Sequence, residues 1–206
     1  KAGNLNTTGS YAVAVGDSAL FSNTSKSGNV AIGFAALANN NTGDSNTAVG
    51  YKALFSNTTG GRNTAMGESA LTANTTGSNN TALGERSLMS NTTGVANVGV
   101  GPHTLMSNTT GAFNNATGLN ALQKNTTGQF NNAFGAYSLS SNTTGSSNVA
   151  LGEETLFDNI GGNSNVAVGL SALYKNKTGN FNVAIGENAL NLNTIGNSNT
   201  AMGVYA

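Results

Sequence analysis

The chain has 206 residues with no cysteine, no tryptophan and one proline, and 8% of its residues are charged, eight of each sign. Zero formal net charge excludes the basic surplus that nucleic acid or an anionic membrane surface would require, and a hydrophobic content of 37% sets it apart from typical disordered chains. No apolar run reaches the roughly eighteen residues of a membrane-spanning helix, and the lysine start shows neither an initiator methionine nor a signal-peptide core, so we read residues 1–206 as one repeat domain cut from a longer fibre.

In chain order, the first element is a corner at Asn6-Thr7-Thr8-Gly9. A strand follows at Ala12-Val13-Ala14-Val15, closed by Gly16, and then a second, shorter strand around Ala19-Leu20. The next corner starts at Asn23, with Lys26 in place of its glycine, and leads into the strand Asn29–Ile32 closed by Gly33. From there the same order returns every seventeen residues, without insertion, as far as Ala201-Met202-Gly203. Glycine keeps this step from Gly16 to Gly203, leucine from Leu20 to Leu190, and asparagine from Asn6 to Asn193 and again from Asn29 to Asn199. The unit reads G-x-x-[AST]-L-x-x-N-T-T-G-x-x-N-[TV]-A-Φ, with Φ aliphatic in most copies.

A fixed period marks a repeat architecture whose units bury their apolar side only by stacking. Seventeen residues are too few for a helical hairpin repeat, which needs roughly thirty, and glycine, asparagine and threonine disfavour helix throughout. The expected fold is all-β, a parallel β-solenoid or β-roll of about twelve turns, each made of two short strands and two corners. Asparagine and glycine are expected to supply the left-handed corner conformations. Strict spacing sets like residues one above another, about 4.8 Å apart. The expected interior ladders include Asn29, Ala31, Gly33, Leu37, Asn57, Leu71 and Asn74, with stacked amides bonding along the column.

Alanine and Φ are adjacent, so one faces into the solenoid and the other away. The invariant columns suit a narrow interior and the varied Φ column an outer surface, although the pattern alone leaves the reverse assignment open. On this reading Val15, Ile32, Val49, Met66, Leu83, Val100, Phe134, Leu151, Val168 and Ile185 form an apolar stripe that meets other copies, in a parallel dimer or trimer.

The motifs S-N-V-A-L-G (147–152), S-N-V-A-V-G (164–169), G-N-V-A-I-G (28–33) and F-N-V-A-I-G (181–186) resemble the head repeats of trimeric autotransporter adhesins, the YadA-like left-handed parallel β-roll, and related bacterial and phage fibre shafts. The resemblance implies a parallel homotrimer exposed on a cell or virion surface. The unit here is longer than the YadA-type unit by its A-L-x-x-N-T-T-G portion, these residues hold no neck, coiled-coil stalk or membrane anchor, and no ligand-binding residue of the family is matched.

Candidate chemistry is sparse. His103, the only histidine, is expected as a solvated corner residue. Glu68 and Glu85, on successive turns with Arg86 alongside, read as solvated charges rather than a cation site. No carboxylate pair or nucleophile constellation stands out, so neither enzyme activity, cofactor nor metal is expected. The Asn-Thr-Thr triplets match the glycosylation acceptor pattern but read as corner chemistry, and Phe113 and Phe130 are expected to stack on each other rather than form a sugar platform. The leading expectation is a structural shaft of an extracellular fibre or adhesin, with an unknown receptor. The alternatives are a self-polymerising matrix filament and an ice-binding solenoid that uses Thr47, Thr64 and Thr81.

Overall fold

Each seventeen-residue unit contributes one strand of three residues, and the strands stack in parallel. A computed structural model of the chain describes residues 10–24 and 27–206. The first expected corner, residues 6–9, and the substitution at Lys26 lie outside the described residues. The strands are β1 (Val13–Val15), β2 (Val30–Ile32), β3 (Thr47–Val49), β4 (Thr64–Met66), β5 (Thr81–Leu83), β6 (Val98–Val100), β7 (Asn115–Thr117), β8 (Asn132–Phe134), β9 (Val149–Leu151), β10 (Val166–Val168), β11 (Val183–Ile185) and β12 (Thr200–Met202). They form one sheet in chain order, each residue paired with its copy in the neighbouring turn, as in Ala31 with Ala48 and Ile32 with Val49. Twelve strands make about eleven turns of a β-solenoid, roughly 53 Å tall at 4.8 Å per turn. Among the described residues there is no helix, and so none long and apolar enough to cross a membrane.

The interior is made of residue columns. The strand-centre alanines, the alanines that precede the leucines, and the leucines themselves account for the whole buried apolar cluster. Ala31, Leu37 and Leu71 are fully buried, as are Asn29, Asn57 and Asn74.

The second strand expected at Ala-Leu is a turn instead. Ala36 and Leu37 are both fully buried, and an extended segment would send consecutive side chains to opposite faces. The chain aims both inward by giving Leu37 a φ of 51° and Ala35 a φ of 53°, a left-handed geometry repeated at Leu54 and Lys52. Such angles cost an L-residue about 1–2 kcal/mol. The bonds between turns survive the change: Leu37 N donates to Ala53 O at 2.9 Å, and Leu54 N donates to Ala70 O at 2.9 Å.

The left-handed corner residues agree with expectation only in part. They are those just before the strand asparagine, where Gly28 and Asn79 take φ of 74° and 60° but Ser45, Arg62, Phe113 and Phe130 do so too, and the ladder asparagines do not. The strand-closing Gly33, by contrast, does have a φ of 131°, and a Cβ there would lie 2.5 Å from Gly50 O. Gly94, in the Asn-Thr-Thr-Gly corner, is required by proximity rather than φ, because a Cβ would collide with Asn91 Oδ1 and Gly111 O.

One rung of the core departs from the others. Gly99 replaces the strand-centre alanine where the facing column holds Ser87 and Thr104. Ser87 Oγ lies 2.8 Å from Thr104 Oγ1 and donates to Gly99 O at 3.1 Å, and a Cβ on Gly99 would come within 2.5 Å of Ser87 Oγ and 2.8 Å of Thr104 Oγ1. Ala150 keeps its Cβ between the same two residue types, with Ser138 Oγ turned to Gly135 O and Thr155 Oγ1 to Gly169 O, each at 2.9 Å. Gly99→Ala is therefore expected to cost at most about 1 kcal/mol in thermal unfolding followed by circular dichroism, with the Ser87 and Thr104 hydroxyls turning in the same way.

Candidate functional surface

Two asparagine columns fix the rod from within. In the corner column, Asn57 Nδ2 donates to Asn40 Oδ1 at 2.7 Å and to Gly60 O at 2.9 Å, and Asn74 Nδ2 donates likewise to Asn57 Oδ1 at 2.8 Å and to Gly77 O at 2.9 Å. In the strand column, Asn46 N donates to Asn29 Oδ1 at 3.0 Å and Asn46 Nδ2 to Gly60 O at 2.9 Å, while Asn63 Nδ2 reaches Asn46 Oδ1 at 3.2 Å. Gly60 O thus receives an amide from each column. Asn46 Nδ2 makes one such bond, whereas Asn57, Asn63 and Asn74 each use both amide hydrogens inside the protein, as full burial of a polar side chain favours. Threonines add a further column in which Thr75 Oγ1 donates to Thr92 O and Thr92 Oγ1 to Thr109 O, each at 3.1 Å.

Among the described residues the Asn-Thr-Thr acceptor triplets are therefore sealed. Asn57, Asn74, Asn91, Asn108, Asn125 and Asn142 have no exposed surface, and their amide nitrogens are committed to the ladder.

With strand centres inward, the first and last strand residues both face outward. The last column is the stripe singled out from sequence: Val15, Ile32, Met66, Phe134, Leu151 and Ile185 are exposed, and Val49, Leu83, Val100 and Val168 partly so. Leu151 keeps 50% of its surface in contact with solvent, a large share for a leucine within a regular sheet. The first column adds Val13, Val30, Val98, Val149, Val166 and Val183, which the sequence reading left out of the stripe. Their alternation with buried alanine was the available signal. Thr47, Thr64 and Thr81 belong to this column as well and occupy three consecutive strands.

Aromatic residues line both flanks. Phe113 and Phe130 stack at 5.2 Å with 4° between their planes, Phe34 and Tyr51 at 5.5 Å with 13°, and Phe157 and Tyr174 at 5.1 Å with 4°. A shallow groove of about 380 Å³ opens where Ala38 lies between Phe21 and Phe55 in one column, rimmed by Phe34 and Lys52.

Charged side chains form small surface pairs. Arg86 Nε lies 3.7 Å from Glu85 Oε1, and His103 Nε2 lies 3.9 Å from the same oxygen. His103 is less solvated than expected: its side chain is 29% exposed and its Nε2 is buried without a hydrogen-bond partner. Glu68 and Glu85 do not gather into a larger acidic group, and no cluster of three metal-ligating side chains occurs among the described residues.

The chain matches no protein-family model, no curated protein and no solved structure.

Proposed function

We propose that the chain is the shaft of an extracellular fibre or adhesin, a stiff spacer of β-solenoid copies packed side by side through the outward sheet face. The observation that carries this reading is the exposed apolar column from Val15 to Met202, set on a ladder whose interior is already complete without it. A water-exposed sheet face ordinarily alternates with polar side chains, whereas this one presents aliphatic residues in nearly every strand. The face with its flanks, roughly 53 Å by 15 Å, offers about 800 Å² per copy, the size of a standard protein interface.

Continuous ladders supply the stiffness, and a trimeric arrangement on a cell or virion surface agrees with the YadA-like motifs. The shaft carries no catalytic role in this reading, and a receptor would be engaged elsewhere along the fibre. The ice-binding alternative is weaker, because its threonine column gives way to Asn115, Asn132 and valines.

Sedimentation equilibrium at micromolar concentration tests the proposal. The native chain should sediment as a discrete oligomer, and Leu151→Lys/Val168→Lys, which charges the face but leaves the interior intact, should sediment as a folded single chain. A native chain that stays monomeric at tens of micromolar would exclude the packed shaft.

A further inference from the structure

The outward face repeats so evenly that two copies laid along it would fit almost as well after sliding by one or two turns as they would in register. Threonine alternates with valine in its first column, but the sharpest break lies at β7 and β8. Eleven of the twelve strands end on an apolar residue, but β7 ends on Thr117, and β7 and β8 begin with Asn115 and Asn132 in a column otherwise made of valine and threonine. These three side chains are partly exposed and make no hydrogen bond within the chain among the described residues.

We propose that Asn115, Thr117 and Asn132 set the axial register of parallel self-association, with a second copy of this chain as the partner; the inference rests on the packed-shaft reading above. A carboxamide carries both donors and acceptors, so it can pair with a hydroxyl across an interface. Copies related by rotation about an axis along the rod meet first column to last column, so in parallel register Asn115 of one copy faces Thr117 of the next, and Asn132 lies one turn, about 4.8 Å, along the rod from that hydroxyl. Sliding by two turns sets Asn115 against Leu151 and Asn132 against Val168, burying amides with no partner. An antiparallel pairing that matches Asn115 to Asn132 puts Thr117 against Phe134 and leaves β1 and β2 uncovered. Single polar positions fix register in the same way within apolar coiled-coil seams.

The absence of native cysteine allows site-directed cross-linking in the full chain. Facing sheets pack about 10 Å apart, beyond the roughly 7 Å between Cα atoms that a disulfide spans, so a bifunctional thiol reagent reaching about 8 Å between sulfurs is used. Thr47→Cys, Val49→Cys, Leu83→Cys and Met202→Cys are prepared singly, mixed pairwise and treated with it. In register, position 47 faces position 49 of the next copy; a slide of two turns, about 9.6 Å, brings 47 to 83 instead. A 49–202 product reports antiparallel packing. The expected result is 47–49 product in large excess over 47–83 and 49–202 in the native background. The 47–83 product should rise at least tenfold in Asn115→Val/Thr117→Val/Asn132→Val, a variant that raises strand propensity and keeps the interior untouched.

Abundant 47–83 product in the native background, a dominant 49–202 product, or a valine variant still confined to 47–49 would each overturn the register role while leaving self-association standing. A native chain that cross-links at no position and sediments as a monomer would overturn both.

Discussion

Replacing Asn108 with aspartate is expected to cost about 3–5 kcal/mol at neutral pH, although the two side chains have almost the same shape. Asn108 Nδ2 donates to Asn91 Oδ1 at 2.8 Å and to Gly111 O at 2.9 Å, while its Oδ1 accepts from Asn125 Nδ2 at 2.8 Å. A carboxylate would turn the donating end into an acceptor facing two other acceptors, with no solvent to screen it. Burial and the facing oxygens both disfavour the charged form, so the folded-state pKa of the new carboxyl must lie above its unfolded value of about 3.9. The sign follows from linkage: the penalty is smallest below pH 4, where the acid is neutral in both states, and grows as pH rises toward the folded-state pKa. Thermal melts between pH 3 and pH 7 should show the variant losing ground to the native protein steadily across that range. A constant difference between the two would mean that the ladder amide is not buried as described.

A second large effect is expected from N-linked glycosylation. The triplets at Asn57, Asn74, Asn91, Asn108, Asn125 and Asn142 satisfy the acceptor pattern, and the transferase acts on an unfolded chain. A glycan on Nδ2 removes a ladder hydrogen and must occupy a site without exposed surface, between turns about 4.8 Å apart. Chains made with active glycosylation should carry glycans at these positions and lack both β circular dichroism and a cooperative melt. Chains made without it should fold, and once folded should resist the transferase at all six positions. Enzymatic removal that leaves aspartate should not restore the fold, for the reason given for Asn108. Glycopeptide mapping that finds these six asparagines modified in a cooperatively folded chain would contradict the sealed ladder.

Much of this architecture is legible in the residues. The seventeen-residue step is unbroken, so the parallel order and like-on-like register follow from spacing alone. The side of the strand that faces inward was suggested by tolerance but left open by it: alanine is retained at eleven of the twelve strand centres, while the last position accepts residues from valine to phenylalanine, and both are apolar. The second strand was not legible, because Ala36-Leu37 has the composition of a strand. Only the need to bury both neighbours forces Leu37 into a left-handed conformation that local propensity opposes. The role of Gly94 was half legible: its recurrence, broken at Lys26, was plain, but its cause is crowding against Asn91 Oδ1 and Gly111 O, a tertiary fact, rather than a turn angle. Gly99 reads as a lapse in the repeat, and its neighbours Ser87 and Thr104 do not demand it, since Ala150 keeps its Cβ beside Ser138 and Thr155. The outward stripe was visible as a column, but its first-position valines join it only once strand centres are known to point inward.

Whether the outward face is covered by other copies can be measured directly with methyl NMR in the presence of a soluble paramagnetic agent, using Leu122 and Leu139 in the interior as the protected reference. The methyls of Ile32, Leu83, Leu151 and Ile185 should be shielded nearly as well as that reference in the native protein, and should become strongly relaxed in Leu83→Lys/Val168→Lys for those that remain. If they relax in the native protein as freely as exposed Leu192, the face stands in water and the packed shaft is wrong.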